Sequence, residues 1–326
     1  MSRDWLLVET LGNEPAVVAQ GNQLKNLVPV STLLRRSPHL SAVNAAIADT
    51  VATATSLASI TPKRDRVIRT EPVVMSDGKV HGVHVWTGPV AAEPPPRPIP
   101  GPLLWDLTTG IATDTAESLS NSGMDSETEP THNRAFAQDL PARNLNATES
   151  KVLAMTVRSY PGAVFCSTWD RTDFRGELIT VGFVARANLE IVADGSEHLI
   201  ARAMNWRSER HSPAEQVDSL SQRILDGLAE PGRYRALVNL DHWQLLKWLD
   251  EPCPLYDWKG AAGIAVVHPD DVQQRAAMTK ELTDGATSGV LRLRANDGGW
   301  IPLHVTVHRV QLDDDVYAGL LTIREP

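Results

Sequence analysis

Histidine side chains offer the clearest chemistry in this 326-residue chain, because imidazole can ligate haem or a metal ion and can carry protons near neutral pH. His304 and His308 lie in a β-rich stretch that begins at Trp300. Apolar side chains alternate with them, at Ile301, Leu303, Val305 and Val307. If that apolar register packs in the core, both histidines face outward. We therefore expect them to meet a covering helix, another domain or solvent, rather than a haem.

A second pair, His81 and His84, is separated by three positions in another strand-like stretch. Side chains alternate between the two faces of a strand, so this spacing predicts that the pair points to opposite faces and cannot form a compact metal site. Cys166 and Cys253 are far apart and form no Cys-x-x-Cys pair, which favours two structural thiols over a metal knuckle or a disulfide framework. No cofactor or metal is predicted.

The sequence contains none of the short motifs that mark common catalytic sites, such as the G-x-S-x-G elbow, the Walker A loop, G-x-G-x-x-G or H-E-x-x-H. The run from Asp313 to Asp315 lacks the Gly and the distal Glu of a calcium loop and is expected in a solvated turn. The sequence therefore predicts that the protein is not an enzyme, although a cleft assembled from distant residues would escape this kind of search.

Tryptophan is unusually frequent, with nine residues against four phenylalanines. Its large ring and single donor suit pockets and interfaces, although most tryptophans should simply lie in cores. The outward register makes Trp300 the first candidate for an interface or a pocket, together with His304. Trp206 and Trp258 are weaker candidates for the same role.

The overall charge argues against two classes of partner. The formal net charge is -9 and no segment is basic, whereas binding to nucleic acid or to an anionic membrane surface requires clustered Lys and Arg. The first residues lack the apolar core of a signal peptide, and no run is long enough to span a membrane. We expect a soluble, cytoplasmic protein with neither nucleic-acid binding nor membrane insertion.

The patterns of predicted elements divide the chain into three units. A proline-rich linker at residues 91–102 separates a unit at 1–90 from one at 103–212, and a third unit occupies 213–326. Each unit contains predicted strands and helices in a similar order. This order predicts an α+β fold in which each unit has a central antiparallel sheet flanked by helices. Units of this size are typical of single domains.

Local signals place individual elements. An Asp-Gly turn at 77–78 predicts a hairpin, and residues 41–59 predict a helix. The polar, acidic stretch at 118–133 predicts a long, flexible loop. Residues 212–215 carry the capping signals of a connector helix that runs to about Leu228 and joins the second and third units.

The third unit carries an ordered set of motifs. His268 to Asp271 begin a helix, with Pro269 in the first turn and the two acids near the positive end of the helix dipole. Arg292 to Arg294 lie in the next strand, and Asp297 to Trp300 form a turn that leads into a long strand. In this order and spacing, residues 213–326 resemble a PAS domain.

The resemblance implies a sensor fold without naming a ligand. PAS and GAF domains bind flavin, haem, bilin or small metabolites, or bind nothing and mediate dimer contacts. The first two units share the element order, and the whole chain resembles a mycobacterial-type protein with three tandem sensor domains, PAS, GAF and PAS, and no output domain. Neither Cys has the sequence context of a flavin or bilin photosensor. Whether the middle unit is GAF or PAS stays open.

The expected function is that of a non-catalytic sensory protein. A small molecule or a partner protein would bind one domain, and the resulting conformational signal would pass to a separate effector protein in trans. A ligand-free scaffold for dimerisation or docking is the alternative. The existence of a small-molecule ligand and of a homodimer is left open by the sequence.

Overall fold

The computed structural model describes residues 4–61, 63–140, 147–209, 220–259 and 266–326. The described chain forms three antiparallel sheets that follow one another in sequence and contain six, six and five strands. Short helices pack against them, so the protein is a multidomain α+β protein that is rich in sheet. Within these ranges, no helix has the length and apolar character needed to cross a membrane.

The N-terminal domain has the strand order β3-β2-β1-β6-β5-β4. Its elements are β1 Leu6–Glu9, β2 Ala16–Gln20, β3 Gln23–Pro29, α1 Val30–Leu33, α2 Leu40–Thr53, β4 Leu57–Ile60, β5 Arg66–Val74 and β6 Val80–Pro89. The predicted helix at 41–59 ends early, because Ala54 adopts the left-handed conformation and the chain then enters β4. The hairpin predicted around the 77–78 turn joins β5 and β6.

The middle domain has the strand order β10-β11-β12-β7-β8-β9. Its elements are β7 Gly101–Asp106, β8 Ile111–Thr113, α3 Ala116–Asn121, β9 Arg134–Ala135, α4 Ala147–Val157, β10 Val164–Thr172, β11 Leu178–Ile191 and β12 Glu197–Arg207. The prediction of a flexible loop at 118–133 is wrong at its start, where Thr115 caps α3 and Leu119 is fully buried. Asn121 there donates hydrogen bonds to the carbonyls of Ile99 and Asn205, so its polarity serves packing.

The C-terminal domain has the strand order β14-β13-β17-β16-β15. Its elements are α5 Leu220–Gly227, β13 Tyr234–Val238, β14 Leu245–Trp248, α6 Val272–Glu281, β15 Ala286–Arg294, β16 Trp300–Asp313 and β17 Val316–Arg324. The capping residues predicted at 212–215 lie outside the described residues, and α5 is the described part of the predicted connector helix.

The motif residues of this domain meet at one place. Asp271 accepts hydrogen bonds from the backbone N and the guanidinium of Arg292, at 2.8 Å and 2.6 Å, and these bonds lower the pKa of Asp271 to about 2. The side chain that caps this turn is His268, whose Nδ1 accepts from the backbone N of Asp270 at 3.1 Å. The ring of Trp300 packs on that of His268, with centroids 4.8 Å apart. The motif therefore ties the start of α6 to β15 and β16.

The middle domain packs against both of its neighbours. On one side, Trp206 and Met204 of β12 share a buried apolar cluster with Leu7 and Val18 of the N-terminal sheet. Glu9 and Arg186 add an ion pair across this boundary, with Oε1 and Nε 2.8 Å apart. The N-terminal sheet is thus covered by α2 on one face and by the middle domain on the other.

On the other side, α4 of the middle domain lies on the C-terminal sheet. Its Val152 and Leu153 belong to one core cluster with Leu237, Leu246 and Ala318 of the C-terminal domain. Between them, the Lys247 ammonium donates to Glu149 Oε1 at 2.6 Å, and both side chains are fully buried. This face of the C-terminal sheet is opposite to the one that carries the candidate site.

Candidate functional site

A cavity of about 320 Å³ lies in the C-terminal domain, between its sheet, α6 and a turn of the middle domain. Alternate side chains of the strands form its apolar floor, namely Val238, Leu291, Leu293, Val305, Leu321 and Ile323. Three aromatic side chains, Trp243, Tyr256 and Trp258, add to its walls. A mostly apolar, largely preformed hollow of this size falls within the range that binds small molecules, about 300–1,000 Å³.

The polar groups of the cavity are few. Arg275 comes from α6, His242 and Gln244 from the segment before β14, and Thr109 from the turn between β7 and β8. Buried atoms of two of them, Gln244 Nε2 and Thr109 Oγ1, have no hydrogen-bond partner among the described residues. A buried donor without a partner is costly, so such atoms indicate either a bound water or a ligand group.

The middle domain closes one side of the cavity through the turn at 108–110 and through Ala135. Gly110 has a φ of 78° and lies so close to Gln244 that a Cβ on Gly110 would stand 2.1 Å from Gln244 Nε2. Only glycine suits both the left-handed backbone and this contact. The position of Gln244 in the cavity wall is therefore set by a residue of another domain.

Trp243 holds the aromatic wall in place. It has a φ of 58°, which costs a residue other than glycine about 1–2 kcal/mol, and it persists because its neighbours fix it. Its indole Nε1 donates to Thr279 Oγ1 of α6 at 2.8 Å, one turn of the helix after Arg275. The wall and the helix that carries Arg275 are thereby joined.

A larger hollow of about 630 Å³ lies in the N-terminal domain. Its base includes Leu6 and Val85, but its rim carries Arg36, Asp65 and other exposed groups of both signs. His39 is buried there, with Nε2 3.7 Å from Asp65 Oδ2. This groove has an exposed, charged rim, whereas the C-terminal cavity has a mostly apolar wall with few polar groups, so we take the C-terminal cavity as the candidate site.

A buried charge cluster stands directly beside the C-terminal cavity. Arg134, next to the lining residue Ala135, is fully buried and forms ion pairs with Asp114 and Asp139. Trp105 Nε1 also donates to Asp139 Oδ2 at 2.6 Å. Burial, reinforced by the charge of Asp139, raises the pKa of Asp114 well above the usual range of a carboxyl group.

The four candidates from the sequence lie in different places. Trp258 lines the cavity, whereas Trp206 is buried between the N-terminal and middle domains. Trp300 packs on His268 at the edge of the C-terminal sheet, and His304 Nε2 lies 3.3 Å from Ser288 Oγ on the sheet face away from the cavity. The structure therefore brings one of the four, Trp258, to the cavity.

The prediction that His81 and His84 point to opposite faces is wrong. The pairing of β5 with β6 shifts register between Val73 and Val74, so β6 contains one extra residue at this point. Both imidazoles consequently lie on the face turned away from α2. His81 bonds to the carbonyl of Ala203 in the middle domain at 2.8 Å, and His84 packs on the ring of Trp5. Gly82, in the interior of β6, is a local signal for a bulge, but it does not specify where the pairing shifts.

Sequence reasoning also missed Arg275. Met278 of its helix and Leu282, in the 3-10 turn that follows the helix, are buried, and both contribute to the C-terminal core. Arg275 precedes them by three and seven positions, the spacing of residues on one face of a helix. A charged residue on an otherwise apolar stripe was the signal that could have identified it. No such signal exists for the turn at 108–110, because its role depends on domain packing.

These features define the chain as a multidomain α+β protein with a ligand-sized cavity in its last domain. Three family models match it, described as Rv3651-like N-terminal at residues 4–96, Rv3651-like middle domain at 99–208 and Rv3651-like C-terminal domain at 218–326. The chain belongs to the Rv3651-like family. The assignment of its domains as PAS, GAF and PAS stays a prediction.

One solved structure is similar over the whole chain, that of an uncharacterised protein from Mycobacterium tuberculosis, with 58% identity and a TM-score of 0.91. The match covers 100% of this chain and 97% of that one. A sensory box histidine kinase/response regulator from Burkholderia thailandensis matches 40% of this chain and 84% of its own, at 11% identity and a TM-score of 0.24.

A third structure, an RNA-binding light-oxygen-voltage receptor, covers 98% of this chain and 94% of its own, at 10% identity and a TM-score of 0.26. TM-scores this low carry no argument about function. A comparison with curated protein sequences gives no match.

Proposed function

We propose that the protein is a non-catalytic sensor whose C-terminal cavity binds a small molecule. The observation that carries the proposal is the composition of the cavity wall, which combines an apolar floor from the C-terminal sheet with a turn of the middle domain. A ligand that contacts both domains can change how they pack, provided that its affinity differs between two packings. A separate effector protein would read that difference.

The ligand should stabilise the protein in proportion to its occupancy. At one hundred times its Kd, a ligand specific for the folded state adds about 2.7 kcal/mol to the free energy of unfolding. We expect phenylalkyl or medium-chain alkyl compounds to raise the midpoint temperature of thermal unfolding by several degrees. The compounds are tested as acids, amides and alcohols. Quenching of the fluorescence of Trp243 or Trp258 should accompany the shift, since both line the cavity.

A variant that fills the cavity provides the control. Val305 lies on the cavity floor, so Val305→Phe projects extra volume into the space and should abolish the thermal shift. Val290→Phe places the same side chain on β15 at an exposed position and should leave the shift intact. Compounds that stabilise both variants and the original chain equally would show that they bind outside the C-terminal cavity.

Ligand binding should also depend on a residue of the middle domain. Gly110→Ala pushes Gln244 out of place and should weaken binding by tenfold or more, measured by calorimetric titration. Gly195→Ala is the matched control, because Gly195 has a similar φ of 85° but has open space around it. Both variants pay the same backbone strain of about 1 kcal/mol. Equal ligand affinities in the two variants would show that the contact from the middle domain does not contribute to binding.

A ligand-free docking scaffold is the second candidate function. Val290 is 43% exposed on the face of the C-terminal sheet that also carries His304, its cross-strand neighbour. Trp300 lies on the same face, half-buried. Failure of every compound to bind the cavity would favour this scaffold over the sensor.

A further inference from the structure

The charge of the C-terminal cavity is one-sided. Arg275 lines it, whereas no Asp or Glu is found among its described lining residues. Arg275 is half-buried and has no ion-pair partner in the described part of the chain. The cavity thus presents a positive charge in a protein whose net charge is -9.

Two other half-buried arginines of the C-terminal domain are paired with carboxylates. Arg235 is bound by Asp250 at 2.7 Å, and Arg292 is bound by Asp271 at 2.6 Å. Arg275 differs from both, although it lies on the same side of α6 as the buried Met278. A cation on an apolar stripe loses part of its hydration, and an anion from outside the chain would restore the favourable interaction.

Gln244, one of the two neutral lining residues with an unpartnered buried atom, also favours a ligand that accepts hydrogen bonds. Gln244 Nε2 is a donor without a partner among the described residues, so it needs an acceptor. Arg275 supplies only donors, in a planar fork that matches the two oxygens of a carboxylate. Arg275 and Gln244 Nε2 therefore both favour a ligand group that accepts hydrogen bonds, and the Thr109 hydroxyl can donate to the same group.

The rest of the cavity suits an apolar body. Its floor is aliphatic, and Trp243 and Trp258 flank the space above it. A cavity of about 320 Å³ lies at the small end of ligand sites, which limits the body to one ring or a short alkyl chain. A single cation matches a single negative charge better than the double charge of a phosphate monoester.

We infer that the cavity binds a small amphipathic carboxylate, with its acid group on Arg275 and its apolar body over the sheet between Trp243 and Trp258. This inference rests on the proposed function and specifies its ligand class. The acid end determines the orientation, and the apolar end provides the contact with the floor. Discrimination against neutral isosteres follows, because a neutral head leaves the guanidinium without its counter-charge.

The test compares acids with neutral molecules of the same shape. The full chain is titrated calorimetrically with 4-phenylbutyrate and octanoate, and separately with 4-phenylbutanamide and octanamide. We expect each acid to bind at least tenfold more tightly than its amide. Arg275→Met should abolish that preference and leave amide binding within about twofold, whereas Arg275→Lys should retain part of it because the charge remains.

Lys280→Met is the matched control, since it removes one positive charge from an exposed position of the same helix. It should bind acids as the original chain does. Amides that bind as tightly as acids, or acids that bind Arg275→Met unchanged, would overturn the carboxylate assignment and leave the sensor proposal standing. If neither acids nor amides bind, the sensor proposal fails and the ligand class fails with it. Thermal unfolding of each variant confirms that it is folded.

Discussion

Arg134→Met is expected to lower the free energy of unfolding by about 3–5 kcal/mol, the usual cost of removing one partner from a buried ion pair. Arg134 is fully buried and lies between Asp114 and Asp139, so its loss leaves two buried acidic side chains without the cation that both contact. Equilibrium unfolding in urea, followed by circular dichroism, measures the effect. The variant keeps a side chain of similar length, so the loss of charge dominates the loss of packing.

Two further variants test whether the effect comes from the buried charge cluster. Arg233→Met removes an arginine whose ion pair with Glu230 is about half-exposed, and it should change the free energy of unfolding by no more than about 0.5 kcal/mol. Adding Asp114→Asn and Asp139→Asn to Arg134→Met removes the repulsion and should restore part of the stability. A loss in Arg134→Met no larger than that in Arg233→Met would show that the cluster contributes little to the fold.

Acidification should destabilise the N-terminal domain, including its contact with the middle domain at His81. Burial lowers the pKa of His81 to about 4 and that of His84 to about 3, against an ordinary value near 6.5. The unfolded chain therefore binds more protons than the folded chain below pH 6.5, so the stability contributed by these residues is full above that pH and is lost as the pH falls towards 4. From pH 6 to pH 5, the two histidines together should remove about 2 kcal/mol.

The comparison that isolates this effect is between the original chain and the His81→Gln, His84→Gln double variant. Urea unfolding at pH 6 and at pH 5 should show a smaller loss of stability in the double variant, whatever its absolute stability. The raised pKa of Asp114 acts in the opposite sense, but it does so equally in both proteins and cancels. Val18→Ala weakens the contact between the same two domains without a titrating group and should leave the pH dependence unchanged. Parallel pH dependences in all three proteins would contradict the assignment.

Local signals in the sequence predict the helices, strands and turns of this fold better than they predict the contacts between them. The turn at 77–78 and the alternating register of β16 depend on a few adjacent residues, and the structure has both. The early end of α2 at Ala54 depends on tertiary contacts, so no local rule predicts it. The helix at 116–121 carries a local start signal in Thr115 and Glu117, which the polar composition of the following stretch outweighed in the prediction.

The candidate site divides in the same way. The apolar floor follows from strand alternation, and Arg275 stands out as a charge on a buried helical stripe. The contact of Gly110 with Gln244 joins two domains, and its geometry depends on how those domains dock. The bulge that turns His81 is likewise a matter of strand pairing, which a single sequence does not reveal.

The helix α4 lies within the stretch matched by the middle-domain family model, yet Val152 and Leu153 complete a core that includes Leu237 and Ala318 of the next domain. A fragment that starts at residue 218, where the C-terminal family model begins, would expose Leu237 and Ala318 to water. It would also leave Lys247 without the Glu149 carboxylate. The blocks by which this family is recognised in sequence are therefore smaller than the unit that folds. A gene rearrangement that separated the C-terminal domain from the middle domain would therefore yield an aggregation-prone fragment rather than a domain that folds on its own.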